Sequence, residues 1–495
     1  MTVDSSIGAS SGKISDWKAI DWPKVRCRVR RLQLRIAKAF RAGHHGKAKA
    51  LQWLLTHSRS AKLLAVKQVT SNKGAKTPGV DNKVWRTDRQ KYVAAQNLKR
   101  RGYRPQPLRR LYIPKKNGKL RPLSIPAMQC RAQQALHALA LKPMAETVAD
   151  RNSYGFREGR SCADAIGQCF IALAKSYAPV WVLEGDIKSC FDRISHEWLL
   201  KNIPMDKRML RQWLKAGYRE NGQLFPTNEG TPQGGIISPL LANLTLDGIE
   251  QAIRSQIKPR HDQVNFIRYA DDFIVTARSQ ETLERKVKPA VVAFLAQRGL
   301  ELSEQKTTLI HIETGFNFLG QTVRKYKNKL VIKPAKDGTK ALLQKTRDCI
   351  KGMVGQTAEA LIGKLNPLVR GWANYHRNVC AGKTFGVVDR IVQTQLLGWA
   401  RRRHPNKSGG WLKRRYFSAA GKGIFSTRKK TGAGESRVLA LYRAAKTVIE
   451  RHIKVRGEAN PYDPRYTEYF ERRRCFAWRV LSRGAKTGQT VSAEV

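Results

Sequence analysis

Two adjacent carboxylates inside an apolar run constrain this chain more than any other feature. In RYADDFIV, Asp271 and Asp272 stand between Phe266-Ile267 and Phe273-Ile274-Val275. Like charges side by side repel, and each is costly to desolvate unless something positive joins them. Side chains alternate along a strand, so both carboxylates reach one place only across a tight turn. NFIRYADDFIVTA is therefore predicted as strand, turn, strand. Such a tip offers oxygen ligands to a hard divalent cation such as Mg²⁺. VWVLEGDI reads as another apolar strand ending in a polar turn, which puts Asp186 at a strand end as a third carboxylate. Three carboxylates can serve two metal ions about 4 Å apart, which activate a 3′-hydroxyl and stabilise departing pyrophosphate. A lone Asp-Asp is more often a solvated turn. The apolar frame, the second strand-end Asp and the charge of the chain argue against that here.

That charge is +57, from 94 Lys plus Arg against 37 Asp plus Glu. A compact body so charged repels itself and calls for a polyanionic partner, nucleic acid before any other. An anionic membrane surface is the rival, but no apolar run nears 18 residues and no charged-then-apolar leader opens the chain, so no membrane partner and a cytoplasmic location are expected. Residues 1 to about 20 are Ser/Gly-rich and are expected to be mobile. From Trp22 to Val80 there is no acidic residue. Leu32, Ile36, Ala39 and Phe40 keep helical spacing there, among Arg30, Arg31, Arg35, Lys38 and Arg41. This reads as a basic helical module, with those five bases as candidate RNA contacts. From Arg401 to Lys430 there are eleven Lys or Arg and again no acid. ISPLLANLTLDGIEQAI reads as one helix with an apolar side. The eight cysteines include no Cys-x-x-Cys, so reduced, buried thiols are expected rather than a zinc ribbon.

The motifs, taken in order, resemble those of the reverse transcriptase–maturases encoded by group II introns, of the bacterial and chloroplast-like type. The resemblance runs from about Trp17 to Phe470. It is carried by LRRLYIPKKNGKLRPLSIP, NSYGFREGRS, LEGDIKSCFDRISH, GTPQGGIISPLLANLTLD, RYADDFIV, GLELSEQKT, GFNFLGQTVRKY and LNPLVRGWANYHRN. The last of these looks like the maturase, or thumb, block. The family fold is α/β in the right-hand polymerase arrangement: fingers and a palm with an antiparallel sheet, then a helical thumb. The resemblance implies a basic N-terminal extension over residues 1–80, fingers and palm over 81–326, the maturase thumb over 327–400 and a basic DNA-binding segment over 401–495.

By the same resemblance Asp186, Asp271 and Asp272 are the catalytic metal ligands, aided by the Ile187 carbonyl. They would hold two Mg²⁺ ions, with Mn²⁺ as a substitute. Lys115 and Arg121 would hold the incoming triphosphate. Phe191 would exclude a ribose 2′-hydroxyl. Gln233 would touch the nascent pair, beside Gly234 and Gly235. Lys306 would give a proton to pyrophosphate. The implied partners are group II intron RNA, target DNA and deoxynucleoside triphosphates; the oligomeric state is open. The implied work is RNA-directed DNA synthesis, assistance to splicing, and retrohoming of the intron. Relatives continue past an NP-x-x-P … YFE-x-R segment into a zinc endonuclease. Here NPYDPRYTEYFERRR is followed by no His and only Cys475, so the endonuclease is expected to be absent and the primer to come from elsewhere. Two alternatives stand beside this reading: an RNA-binding splicing factor with a vestigial polymerase, and a reverse transcriptase recruited to phage defence.

Overall fold

The computed structural model describes residues 17–114, 118, 120–421, 423–430 and 436–483. Lys115 and most of the Ser/Gly-rich N-terminal stretch lie outside the described residues.

Helices α1 (Trp22–Arg41), α2 (His45–His57) and α3 (Arg59–Ser71) form a basic bundle, as the spacing predicts. The Asp21 side chain starts α1 by accepting from the Lys24 backbone N–H at 2.9 Å. Val29, Ile36, Leu51, Leu55 and Val66 close on α4 (Asp88–Gln96) and α5 (Met128–Val148). α5 is apolar nearly all round because two cores share it. Its Leu136 and Leu139 face the bundle, and its Leu141 and Ala145 face the core under the central sheet. β1 (Leu108–Pro114) and β2 (Leu120–Ile125) make an antiparallel hairpin. After α5 comes α6 (Cys162–Leu173), then β3 (Trp181–Asp186) and the short α7 (Cys190–Arg193). β4 (Tyr218–Glu220) and β5 (Gln223–Phe225) extend the first sheet through a parallel β1–β4 pairing.

β6 (Asn265–Tyr269) and β7 (Asp272–Ala277) form the predicted hairpin, and β8 (Thr308–His311) completes a central antiparallel sheet in the order β6-β7-β3-β8. Leu183, Phe266, Phe273 and Val275 pack on one face of it. Val182, Ile267 and Ile274 pack on the other, against α6. Both faces are covered, so its strands read as apolar runs, and their open ends are where charge can sit.

β9 (Phe316–Phe318), β10 (Gln321–Tyr326) and β11 (Lys329–Pro334) form a meander leading to the helices Lys336–Lys351, Ala358–Tyr375 and Gly382–Arg403; β12 (Ser426–Lys430) and β13 (Ser436–Ala440) follow. One apolar core runs unbroken from α6 through Phe316 and Val323 to Leu361, Leu365 and the fully buried Trp399. The boundary expected at 326/327 cuts the β10–β11 hairpin, and that expected at 400/401 cuts the helix Gly382–Arg403.

The chain after Ala444 turns back as a strap across α6 and α1. Asp164, fully buried on α6, accepts from the Val455 N–H at 2.7 Å, from His452 Nε2 at 2.9 Å and from Arg473 Nη2 at 3.0 Å. Arg41 pairs with Asp463 at 2.7 Å. Arg30 donates to the Pro461 carbonyl and lies 4.7 Å over the Tyr462 ring. Two of the five bases expected on an RNA surface are thus engaged within the protein, whereas Arg31, Arg35 and Lys38 are exposed. The cysteines are free, but Cys27, Cys380 and Cys475 are exposed rather than buried. Among the described residues no helix is long and apolar enough to cross a membrane.

Candidate active site

Tyr269 pairs with Asp272, leaving Ala270 and Asp271 as the hairpin tip. Ala270 sits at φ +58°, a left-handed conformation that costs a residue with a Cβ about 1–2 kcal/mol. Two neighbours hold it there. Gly155 lies against the tip so closely that a Cβ on it would fall 2.4 Å from the Ala270 nitrogen, which is why a glycine stands there. Beneath the tip lies Arg268, fully buried. Its Nη1 donates to the Ala270 carbonyl at 3.2 Å and to Asn243 Oδ1 at 3.1 Å, and its Nη2 donates to Asp247 Oδ1 at 2.5 Å. Asn243 Nδ2 in turn donates to the Gly155 carbonyl at 2.7 Å.

This network explains why the helix expected through ISPLLANLTLDGIEQAI is broken. The helix Ser238–Leu246 stops at Asp247, Gly248 takes φ +103°, and Ile249–Arg254 starts anew. The break leaves the Asp247 carboxyl on Arg268. Burial drives that carboxyl above the usual range, and Arg268 pulls it back.

Asp186 and Asp272 face each other as partners across β3 and β7. Between them and the core, Gly185 leaves room for the Phe273 ring, which a Cβ would approach to 2.2 Å. Glu184 precedes Asp186 by two residues on the same face of β3, half-buried. Its carboxyl is raised by burial and by Asp272 and Asp186. Burial, Asp271 and Asp186 push Asp272 up to about 6, against the pull of Lys306. Asp272 is exposed as a residue, so the neighbouring charges are the firmer cause. Asp271 is raised by burial and by Asp186, while Arg121 and Lys306 hold it down.

Lys306 Nζ lies 2.8 Å from Asp186 Oδ2 and supplies positive charge at the cluster. Phe191 is half-buried on α7, and its carbonyl accepts from the Thr231 N–H at 2.6 Å. Gln233 Nε2 donates to Asp192 Oδ2 at 3.0 Å, and the Gln233 carbonyl accepts from the Ser124 N–H at 2.7 Å. The TPQGG loop therefore joins α7 to β2, the strand that carries Arg121. Ile187 is buried and bridges to Leu302.

The structure thus gathers Asp186, Asp271, Asp272, Lys306 and Arg121 at one sheet end, with Phe191 and Gln233 on an adjoining wall. The basic residues of α1 belong to a different surface. Sequence reasoning missed Glu184, although it lies within the quoted LEGD, and it missed the Arg268–Asp247–Asn243 network. The only signal for the network was an Arg inside an apolar strand with an Asp at the end of an upstream apolar helix.

The donor set suits a hard divalent ion, since carboxylates that raise one another's pKa are relieved by a cation with oxygen preference. Among the described residues no three His, Cys, Asp or Glu side chains form a group able to hold a metal by themselves. Mg²⁺ commonly takes one or two carboxylates and completes its octahedron with water and substrate phosphate, so an open cluster is the form expected.

Comparison with known proteins finds matches along most of the described chain. Residues 113–323 match the reverse transcriptase (RNA-dependent DNA polymerase) family, 17–98 the N-terminal domain of reverse transcriptase, and 339–417 the group II intron maturase-specific domain. The chain is 34% identical to protein YkfC of Escherichia coli (strain K12) over 298 residues, 52% of this chain and 78% of that protein. It is 28% identical over 410 residues to the group II intron-encoded protein LtrA of Lactococcus lactis subsp. cremoris, 68% of this chain and 67% of that protein. Among solved structures, a telomerase from Candida albicans aligns over 63% of each chain at 12% identity with a TM-score of 0.38, too loosely to carry an argument.

Proposed function

This chain belongs to the reverse transcriptase–maturases encoded by group II introns, and we propose that it copies its intron RNA into DNA at the β6–β7 tip and holds that RNA while it splices. It is an RNA-directed DNA polymerase with a maturase-specific region and an intron-RNA partner. The observation that carries the finer reading is Asp186 facing Asp272 across β3 and β7, with Asp271 on the turn between strands. In this reading Asp186, Asp271 and Asp272 hold two Mg²⁺ ions, which when bound lower the pKa of a primer 3′-hydroxyl and neutralise charge on the departing pyrophosphate. Arg121, near enough to the tip to hold the Asp271 carboxyl down, binds the triphosphate, and Lys115 is to be tested by mutation. Lys306 neutralises Asp186 and is near enough to the cluster to give a proton to pyrophosphate. Phe191 closes the space beside C2′ of the incoming nucleotide. Gln233, fixed by Asp192, contacts the nascent pair. Arg268 and Gly155 keep the tip in one conformation, so the carboxylates are set in place before substrate arrives. The basic bundle supplies phosphate contacts, and deoxynucleoside triphosphates and target DNA complete the set of partners.

The test pairs two assays on one preparation. Purified protein should extend a DNA primer annealed to an RNA template, and should accelerate splicing of an intron-containing precursor at low Mg²⁺. Its affinity for the intron should fall by about 10³ between low and moderate salt, because many phosphate contacts release many counterions. Splicing help without any extension would mean an RNA-binding factor with a vestigial polymerase. Extension without intron affinity would mean a reverse transcriptase with another task.

A further inference from the structure

α2 carries an aromatic surface that the fold does not need. Its inner side buries Ala48, Leu51, Gln52 and Leu55. Its outer side presents Lys49, Trp53 and His57, one above another at four-residue spacing, all exposed. Trp53 is 60% exposed and its neighbour Leu54 45% exposed. The Trp53 ring is stacked on His57, with centroids 4.1 Å apart and planes at 24°. His57 is anchored by a hydrogen bond between Nδ1 and the Trp53 carbonyl at 2.8 Å, which ties the stacked pair to the helix backbone. A large aromatic ring held in water in one orientation removes nothing from the core when it is lost, and an exposed apolar surface of this kind marks a contact site.

The charges around it say what kind of contact. The Gln52 amide ties α2 to the turn after Ile203 through the Pro204 carbonyl at 3.0 Å, which brings Lys207 beside Lys49. Lys99 similarly stands near Lys62 on α3. Burial and these like-charged neighbours lower the pKa values of Lys207 and Lys62. Among the described residues none of these four lysines is ion-paired to a carboxylate, and α1–α3 contain no acid to supply one. Cations crowded without counter-charge favour a polyanion, and a flat exposed indole among them favours an unstacked base.

We propose that the Lys49–Trp53–His57 stripe of α2 is a docking surface for an unpaired stretch of RNA, with one base stacked on Trp53 and its flanking phosphates on Lys49 and Lys207. The stripe uses none of the α1 bases that the strap engages, and it combines segments far apart in sequence. The proposal rests on the RNA-binding reading above.

The test uses the full chain, a fluorescent single-stranded RNA of mixed sequence and a duplex RNA of the same length. Trp53→Ala should weaken single-stranded RNA by about tenfold, the range of one lost base stack, and leave duplex binding within about twofold. Trp53→Phe should keep most of the affinity. Lys49→Ala with Lys207→Ala should flatten the salt slope for single-stranded RNA by about 1.4, two phosphate contacts' worth. Because Trp53 is exposed, melting should be unchanged in each variant. Equal single-stranded affinity in wild type and Trp53→Ala would overturn the proposal while leaving RNA binding intact. Failure of the wild type to bind either RNA would instead overturn the underlying reading. A concentration-dependent dimer in the wild type that Trp53→Ala abolishes would make this face a contact between copies and would also overturn it.

Discussion

Arg268→Met removes a buried guanidinium from beneath the β6–β7 tip. Arg268 is fully buried and bonds Asp247, Asn243 and the Ala270 carbonyl. Breaking a buried pair by removing one partner costs about 3–5 kcal/mol, because the remaining charge is left without compensation. Asp247 is already raised by burial, and without Arg268 it rises further. A group whose folded pKa exceeds its unfolded value stabilises fully below the unfolded value and loses that stability as pH rises towards the folded one. Both proteins therefore lose stability as pH rises from about 4, and the variant should part from wild type above about pH 7, where wild-type Asp247 ionises, by up to about 1.4 kcal/mol per pH unit. Urea denaturation at about pH 5 and about pH 8 reads this directly. Adding Asp247→Leu should return most of the stability, since an apolar replacement of both partners is close to neutral. It cannot return the donor to the Ala270 carbonyl. The double variant should thus regain its melting behaviour yet keep a kcat lowered by about 10–100-fold, with KM for nucleotide little changed, as expected for misplaced catalytic groups. A cost below about 1 kcal/mol at both pH values, or a double variant with full kcat, would refute the reasoning.

Phe191→Val should let ribonucleotides into the product, measured by single-nucleotide incorporation with matched deoxy and ribo substrates; unchanged discrimination would make Phe191 a core residue. Asp272→Asn should stabilise the protein without divalent ions. The shift of Asp272 from 3.8 to about 6 would correspond to about 3 kcal/mol, which solvent screening of an exposed group cuts to about 1. Its pKa is raised, so the wild type loses this stability as pH climbs from about 4 to about 6; the gain should be full above that window and absent below it. Denaturation in a chelator across that range checks the sign, and a variant less stable than wild type at pH 8 would contradict it.

The central hairpin could be read from sequence because one pattern fixed it. Apolar runs on both sides of two carboxylates leave no other way to keep Asp271 and Asp272 wet. Asp186 followed from the same logic at the end of β3. What sequence could not provide were contacts between distant segments. Arg30 and Arg41 look like any other bases of an acid-free helix, and only the returning strap at Pro461–Asp463 shows that the protein uses them itself. The break at Asp247-Gly248 was hidden for a similar reason. Its local pattern is that of one amphipathic helix, and the reason to stop lies on β6. The core shared by the meander and the later helices was invisible because a boundary drawn by composition ignores side chains that meet across it.

The most direct measurement replaces both tip carboxylates. Asp271→Asn with Asp272→Asn removes two of the three carboxylates proposed to hold Mg²⁺ and relieves their repulsion, so the fold should hold and its melting temperature should not fall. Extension of a DNA primer on an RNA template should become undetectable, with several kcal/mol of transition-state stabilisation gone. Affinity for the intron and support of its splicing should stay near those of the wild type, because the basic bundle does not depend on the tip. Measurable extension by the double variant would contradict the assignment of the catalytic carboxylates. Equal loss of splicing and synthesis in a folded variant would contradict the separation of the two activities.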